Sequence, residues 1–150
     1  MSDGTQLLQV ARDARGVVTL TLNDPKRFNA LGHEMLSALQ QALADVARDE
    51  GARVVVLAGA GKAFCAGHNL KDMAQHPDLA WYQDLFAQCS RVMLAIHKLP
   101  VPVIARVQGM ATAAGCQLVA QCDLAVASEA ASFATSGIHY GLFCATPSVP

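Results

Sequence analysis

The sequence has few aromatic and few charged residues, and these two shortages exclude several classes of protein. Phe, Tyr and Trp make up 5% of its 150 residues and charged side chains 15%, whereas 53% are hydrophobic. So apolar a chain must bury an interior, which excludes an intrinsically disordered protein. Eleven Lys and Arg side chains oppose twelve Asp and Glu, a net charge of −1. We therefore expect neither a nucleic acid nor a membrane as partner.

The sequence also lacks the spacings of a disulfide framework or a metal site. There is no Cys-x-x-Cys pair, and five cysteines cannot all form disulfides with one another. The five histidines do not fall at metal-ligand spacings, so we expect no metal. No basic, apolar leader opens the chain, and we predict a cytoplasmic location with reduced thiols. The cysteines are Cys65, Cys89, Cys116, Cys122 and Cys144.

Hydrophobic periodicity predicts an α/β fold. Residues 7–22 show the alternation of a β-hairpin, and apolar residues over 36–46 and 82–96 recur at the three- and four-residue spacing of helices. Short, continuously apolar runs predict buried strands at 53–58 and 103–107, and we place another strand at 124–128. Strands that alternate with helices indicate a largely parallel sheet.

Small residues follow the ends of two predicted strands, at 64–70 and at 109–116. Ligands of α/β sheets bind at such ends, where backbone N–H groups are unpaired, so two adjacent ends could form an oxyanion hole. The alternative is that Ala and Gly only permit close packing of helix on sheet. A nucleotide-phosphate loop at 59–67 is disfavoured, because Phe64 stands where the dinucleotide fingerprint needs its third glycine.

Four segments resemble the crotonase superfamily of enoyl-CoA hydratases and isomerases. They are KRFNAL at 26–31, GKAFCAGHNLKDM at 61–73, the run at 100–128 and FATSGIHYGL at 133–142. Within the superfamily the chain looks most similar to the enoyl-CoA hydratase domain-containing 3 type. The resemblance implies an α/β crotonase-like fold, a spiral of ββα units with a mostly parallel sheet flanked by helices. It also implies an acyl-CoA thioester as ligand, with no cofactor apart from the CoA of the substrate.

The resemblance assigns roles to individual positions. The backbone N–H groups of His68 and Ala114 would polarise the thioester carbonyl. A second set of residues would border the adenine and pantetheine or meet the CoA phosphates. For an exposed loop cation, contact with water alone is an equally good explanation of its charge. This set comprises Lys26, Phe28, Ala30, Ala66, His68, Asn69 and Leu70.

The two glutamates that hold the added water in hydratases of this family are missing. Their positions fall on Gln117 and Gly137, neither of which can accept a proton. His68, which we predict to lie near the thioester, or less directly His139, could supply a base instead, and the alternative for either is a hydrogen-bonded structural histidine. Three functions stay open: an enoyl-CoA hydratase or isomerase with non-standard catalytic residues, a non-catalytic acyl-CoA-binding or regulatory protein, and a CoA-thioester hydrolase or isomerase with a different base.

Chains of this family continue well beyond 150 residues. The resemblance therefore implies that residues 1–150 are an amino-terminal acyl-CoA-binding core without the family's carboxyl-terminal helical and trimerisation part. The complete protein is expected to form a homotrimer or a dimer of trimers. We also expect apolar surface where those parts would lie.

Overall fold

Two β-sheets and four helices make up the chain in the computed structural model, which describes residues 6–141. The strands are β1 (Leu8–Arg12), β2 (Val17–Leu22), β3 (Val54–Gly59), β4 (Ala63–Cys65), β5 (Val103–Val107), β6 (Met110–Thr112), β7 (Leu124–Ala127) and β8 (Ser132–Ala134). The helices are α1 (His33–Arg48), α2 (Leu70–Gln75), α3 (Leu79–His97) and α4 (Ala114–Ala120), with 3-10 turns at Pro25–Arg27 and Ser136–Tyr140. Cys144 lies outside the described residues.

The larger sheet has five strands in the order β1-β2-β3-β5-β7. β1 and β2 form the predicted antiparallel hairpin, and every other pair is parallel. The register places Leu20 opposite Leu57 and Val55 opposite Val103, four residues that are almost fully buried. The three continuous apolar runs are therefore strands, as predicted, and the side chains of β3 and β5 form the centre of the core, whereas those of β7 do not.

Helices α1 and α3 pack against each other and complete this core. Each buries one face: Leu36, Leu39 and Leu43 in α1, and Cys89 and Val92 in α3. Burying such a side chain contributes about 1.5 to 3 kcal/mol. The three- and four-residue spacing thus sets which face of each helix meets the sheet.

The smaller sheet consists of three parallel strands in the order β4-β6-β8. Each follows a strand of the larger sheet, so β3 leads to β4, β5 to β6 and β7 to β8. This alternation gives the ββα spiral that the resemblance implies. Hydrophobic periodicity did not predict the smaller sheet, because three residues are too few to show an alternation.

Strand β7 forms an uncovered edge of the larger sheet. All four of its residues are exposed, with Leu124 at 60% and Val126 at 64%. Phe133 of β8 is also half exposed. Apolar surface therefore lies where β7 and β8 end the two sheets. Within residues 6–141, no helix is both long and apolar enough to cross a membrane.

Candidate active site

The buried side chain of Asn29 fixes the loop that precedes α1. Its Nδ2 donates hydrogen bonds to the carbonyl oxygens of Ala60 (2.9 Å), Ala63 (2.9 Å) and Phe64 (3.1 Å), and its Oδ1 accepts one from the N–H of Asp24 (2.8 Å). Asn29 has φ 55°, a left-handed conformation that Asn adopts more readily than most residues. One amide thus ties this loop to the segment between β3 and β4.

Backbone hydrogen bonds from the same loop hold residues 66–68, which form the first wall of the site. The N–H of Ala66 donates to Phe28 (3.0 Å), and the N–H of Leu31 donates to Gly67 (2.8 Å). Gly67 has φ +86°, which only glycine adopts at no cost. The chain therefore turns at a fixed place just before His68.

The second wall, formed by residues 112–115, lies directly against the first. A Cβ added to Gly115 would lie 2.2 Å from the Cys65 carbonyl oxygen, and one added to Gly67 would lie 3.1 Å from the nitrogen of Ala114. Both glycines thus permit a close approach that a side chain would prevent. Beneath them, burial raises the pKa of the Cys65 thiol to about 12.

The two predicted N–H donors sit on these adjoining walls. Ala114 is the first residue of α4, and His68 directly follows Gly67. Among residues 6–141, neither N–H has a hydrogen-bond acceptor. By contrast, the N–H of neighbouring Ala113 donates to Ala134 (2.8 Å). The two N–H groups therefore belong to adjoining segments of the chain.

A cavity of about 220 Å³ opens beside these walls. Its polar side chains are those of His68, Thr112 and Ser136. The rest of the described lining is apolar and comprises Ala66, Leu70, Met73, Phe86, Ala113 and Gly137. No carboxylate is among these residues. The volume is below the 300 to 1,000 Å³ typical of pockets for drug-sized ligands, so the cavity can hold the reacting end of a ligand and not a whole coenzyme A.

His68 has a defined hydrogen-bonding state. Its Nδ1 lies 3.0 Å from the Leu31 carbonyl oxygen, which can only accept, so Nδ1 carries the proton and Nε2 the lone pair of the neutral ring. The ring meets Phe86 edge-on at 5.2 Å. Burial lowers its pKa, the bond to Leu31 partly opposes this, and the nearby His33 lowers it further. His68 is therefore neutral at neutral pH.

The two hydroxyl groups in the cavity bind each other, with 2.6 Å between the Oγ1 of Thr112 and the Oγ of Ser136. Sequence reasoning missed both residues. The signal was available: Thr112 lies among the small residues before Ala114, and Ser136 directly precedes the predicted position Gly137.

The remaining catalytic candidates lie in different surroundings. Gln117 is buried on α4 and is not among the residues that line the cavity. Gly137 does line it, whereas His139 is exposed and does not. Asp123 accepts a hydrogen bond from the N–H of Val103 (2.7 Å) and braces the start of β5. Of the two predicted histidines, only His68 thus meets the cavity.

The residues predicted to contact coenzyme A are divided among three places. Ala66, His68 and Leu70 line the cavity.

Ala30 and Asn69 line a second cavity of about 220 Å³, together with Arg27. The Asn69 side chain caps α2 by accepting from the N–H groups of Lys71 and Asp72.

Lys26 and Phe28 are exposed near the first 3-10 turn and line neither cavity, with Phe28 51% accessible. In the part of the chain that the structure describes, no group of three His, Cys, Asp or Glu side chains is arranged to hold a metal ion.

Known proteins share this sequence and architecture. The enoyl-CoA hydratase/isomerase family matches residues 12–149. The mitochondrial enoyl-CoA hydratase domain-containing protein 3 of Xenopus laevis is 44% identical over 142 residues, which are 95% of this chain and 48% of that protein. Its human counterpart is 45% identical over 139 residues, which are 93% of this chain and 46% of that protein.

Solved structures agree. An enoyl-CoA hydratase from Mycobacterium smegmatis superposes with a TM-score of 0.91 at 64% identity, over 94% of this chain and 55% of that one. Human enoyl-CoA hydratase domain-containing protein 3 superposes with a TM-score of 0.88 at 42% identity, over 95% and 56%. The predicted crotonase-like fold and the predicted subgroup resemblance are confirmed.

Two further facts come from these relatives. The chain spans about half the length of the curated relatives it matches. The prediction of a cytoplasmic location is wrong by the same comparison, because five relatives at 42 to 45% identity are all named as mitochondrial proteins. The composition of the first residues was not a sufficient basis for it.

Proposed function

Since this chain belongs to the enoyl-CoA hydratase/isomerase family, we propose that it binds an acyl-CoA thioester and polarises its carbonyl with the N–H groups of His68 and Ala114. One observation carries this proposal. The two N–H groups lie on walls in close contact, beside a cavity, and neither has an acceptor in the described chain. A thioester oxygen placed between them would complete both hydrogen bonds.

These donors act most strongly when the carbonyl oxygen becomes negative. An enolate or tetrahedral adduct carries that charge, and each fixed donor then contributes about 3 kcal/mol. The acyl end would occupy the cavity, while the pantetheine and nucleotide would extend past Ala66 and Leu70 toward the loop at Phe28 and Ala30. Reactions that pass through a thioester enolate, hydration and double-bond isomerisation among them, are the class that this arrangement serves.

Replacing Ala114 by proline tests the donor directly. Proline removes one N–H and suits the first position of a helix, so α4 can still form. We expect the infrared stretch of a ¹³C-labelled thioester carbonyl to shift to lower frequency on binding to the wild-type protein, and to shift less on binding to Ala114→Pro. Calorimetry on the same samples would measure affinity.

Leu79→Pro is the matched control. It places proline at the first position of α3, where Leu79 is 73% exposed and outside the cavity. It should bind and shift the carbonyl as the wild type does. An equal shift in wild type and Ala114→Pro would refute the oxyanion hole.

A non-catalytic acyl-CoA-binding protein is the second candidate, and the lack of a carboxylate in the described cavity lining favours it. Without two carboxylates, hydration by the family's route is unavailable, and a lost acid or base group typically costs 10²- to 10⁴-fold in rate. Incubation with crotonyl-CoA separates the candidates. Loss of the conjugated thioester absorbance indicates hydration, release of free CoA thiol indicates hydrolysis, and binding without either supports a binding protein.

A further inference from the structure

One side chain in the cavity is suited to proton transfer. Of the three polar side chains among the described lining residues, Thr112 and Ser136 carry hydroxyls that are not basic near neutral pH, and these bind each other. His68 carries the remaining polar group, an imidazole. A group that acts as a base near neutral pH must therefore be the His68 imidazole or a residue outside the described lining.

Its neighbours prepare the ring for that role. The Leu31 carbonyl takes the proton of Nδ1, which leaves the lone pair on Nε2. Contact with Phe86 restricts rotation of the ring. Burial favours the neutral form, which is the form that accepts a proton. The backbone N–H of His68 is one of the two proposed donors. The ring therefore belongs to the same residue that would hold an enolate oxygen.

We propose that His68 is the proton-transfer residue of this site, with Nε2 removing a proton from the carbon next to the thioester carbonyl. This rests on the proposed function, since the N–H groups of His68 and Ala114 must hold the resulting enolate. The C–H bond breaks, an N–H bond forms on the ring, and the electron pair moves into the enolate with its charge on oxygen.

Return of the proton regenerates the neutral ring and needs no further reactant. Return to the same carbon gives exchange with solvent. Return two carbons further along converts a β,γ-unsaturated acyl thioester into its conjugated isomer. The substrates this site would convert are therefore acyl-CoA thioesters with a removable proton next to the carbonyl.

His68→Asn separates this role from binding. Asn keeps the backbone N–H and has an Nδ2 that can replace the Nδ1 donor to Leu31, and it has no basic nitrogen. The measurements are affinity for butyryl-CoA by calorimetry and exchange of its α-hydrogens in D₂O by NMR. We expect retained affinity and an exchange rate lower by about 10²- to 10⁴-fold. His139→Asn is the matched control and should change neither measurement.

His68→Ala with added imidazole provides a second variant, and recovery of exchange with imidazole supports the proposal. Butyryl-CoA binding with equal exchange in wild type and His68→Asn overturns it. Binding with no exchange by the wild type also overturns it, while leaving the acyl-CoA site standing. No binding by the folded wild-type protein overturns the proposed function instead. Thermal unfolding of each variant identifies any loss that is due to the fold.

Discussion

The two walls of the site reach a positive φ in different ways. In the first, Gly67 adopts φ +86° without cost, because it has no side chain. In the second, Ala113 has φ 51° and ψ −124°, which costs a residue with a Cβ about 1 to 3 kcal/mol. Hydrogen bonds offset this strain: the Ala113 N–H donates to Ala134, and its carbonyl accepts from Cys116 and Gln117. The positive φ in the first wall is thus allowed by glycine itself, whereas the positive φ in the second wall is maintained by hydrogen bonds to neighbouring residues.

The largest effect is expected when Gly67, in the first wall, is replaced by a residue with a side chain. In Gly67→Ala the new Cβ would lie 3.0 Å from the Cβ of Ala113 and from the oxygen of Thr112, at a φ that Ala disfavours. We expect a loss of about 3 kcal/mol in the free energy of unfolding, measured by urea denaturation, and loss of acyl-CoA binding.

Gly141→Ala separates strain from contact in that experiment. Gly141 also has positive φ, at +67°, but among residues 6–141 a Cβ there would meet nothing within 4 Å. It should cost only about 1 kcal/mol. Equal losses in the two variants would show that the walls are less closely packed than described.

A smaller effect is expected from removing the brace of the first wall. Asn29→Ala deletes all four side-chain hydrogen bonds of Asn29, and of their backbone partners the Ala63 carbonyl keeps a bond from Gln108, so we expect a loss of about 2 kcal/mol. Affinity for acyl-CoA should fall as well, because the loop that pairs with residues 66–67 loses its anchor. Asn23→Ala, which removes one exposed bond to the Gln6 carbonyl, should change stability by about 0.5 kcal/mol or less. Similar losses for both would contradict the bracing role.

The smallest effect is a gain. Ala113→Gly makes the second wall resemble the first and relieves its strain, partly offset by the greater freedom of glycine in the unfolded chain. We expect about 1 kcal/mol of added stability by thermal unfolding. Ala131→Gly, at a residue without positive φ, should instead lose about 0.5 to 1 kcal/mol. Destabilisation by Ala113→Gly would mean that the neighbours do not impose the conformation.

Signals contained in a few consecutive residues were enough to predict much of the fold. The apolar run at 103–107 predicted β5, and the spacing of Leu36, Leu39 and Leu43 predicted α1. The runs of small residues also indicated that two strand ends could adjoin, whereas the choice of His68 and Ala114 came from the family resemblance.

Features that depend on distant partners could not be predicted in this way. The acceptors of the Asn29 amide lie 31 to 35 residues away in the sequence, and Asn29 stands in an unremarkable loop. The division of the predicted CoA-contacting residues among two cavities and an exposed turn depends on where α2 and α3 pack. A sequence pattern does not contain that information.

Cys65 is buried beneath both walls. The rate at which its thiol reacts can therefore measure how often the two walls separate. Burial raises the pKa of this thiol to about 12, so it is protonated at neutral pH, and the buried sulfur is closed to reagents from solvent. Alkylation of Cys65 therefore requires an opening that parts the β4 segment from α4. The alkylation rate, followed by peptide mass spectrometry, therefore measures how often the segments that carry the His68 and Ala114 N–H groups separate in the native protein.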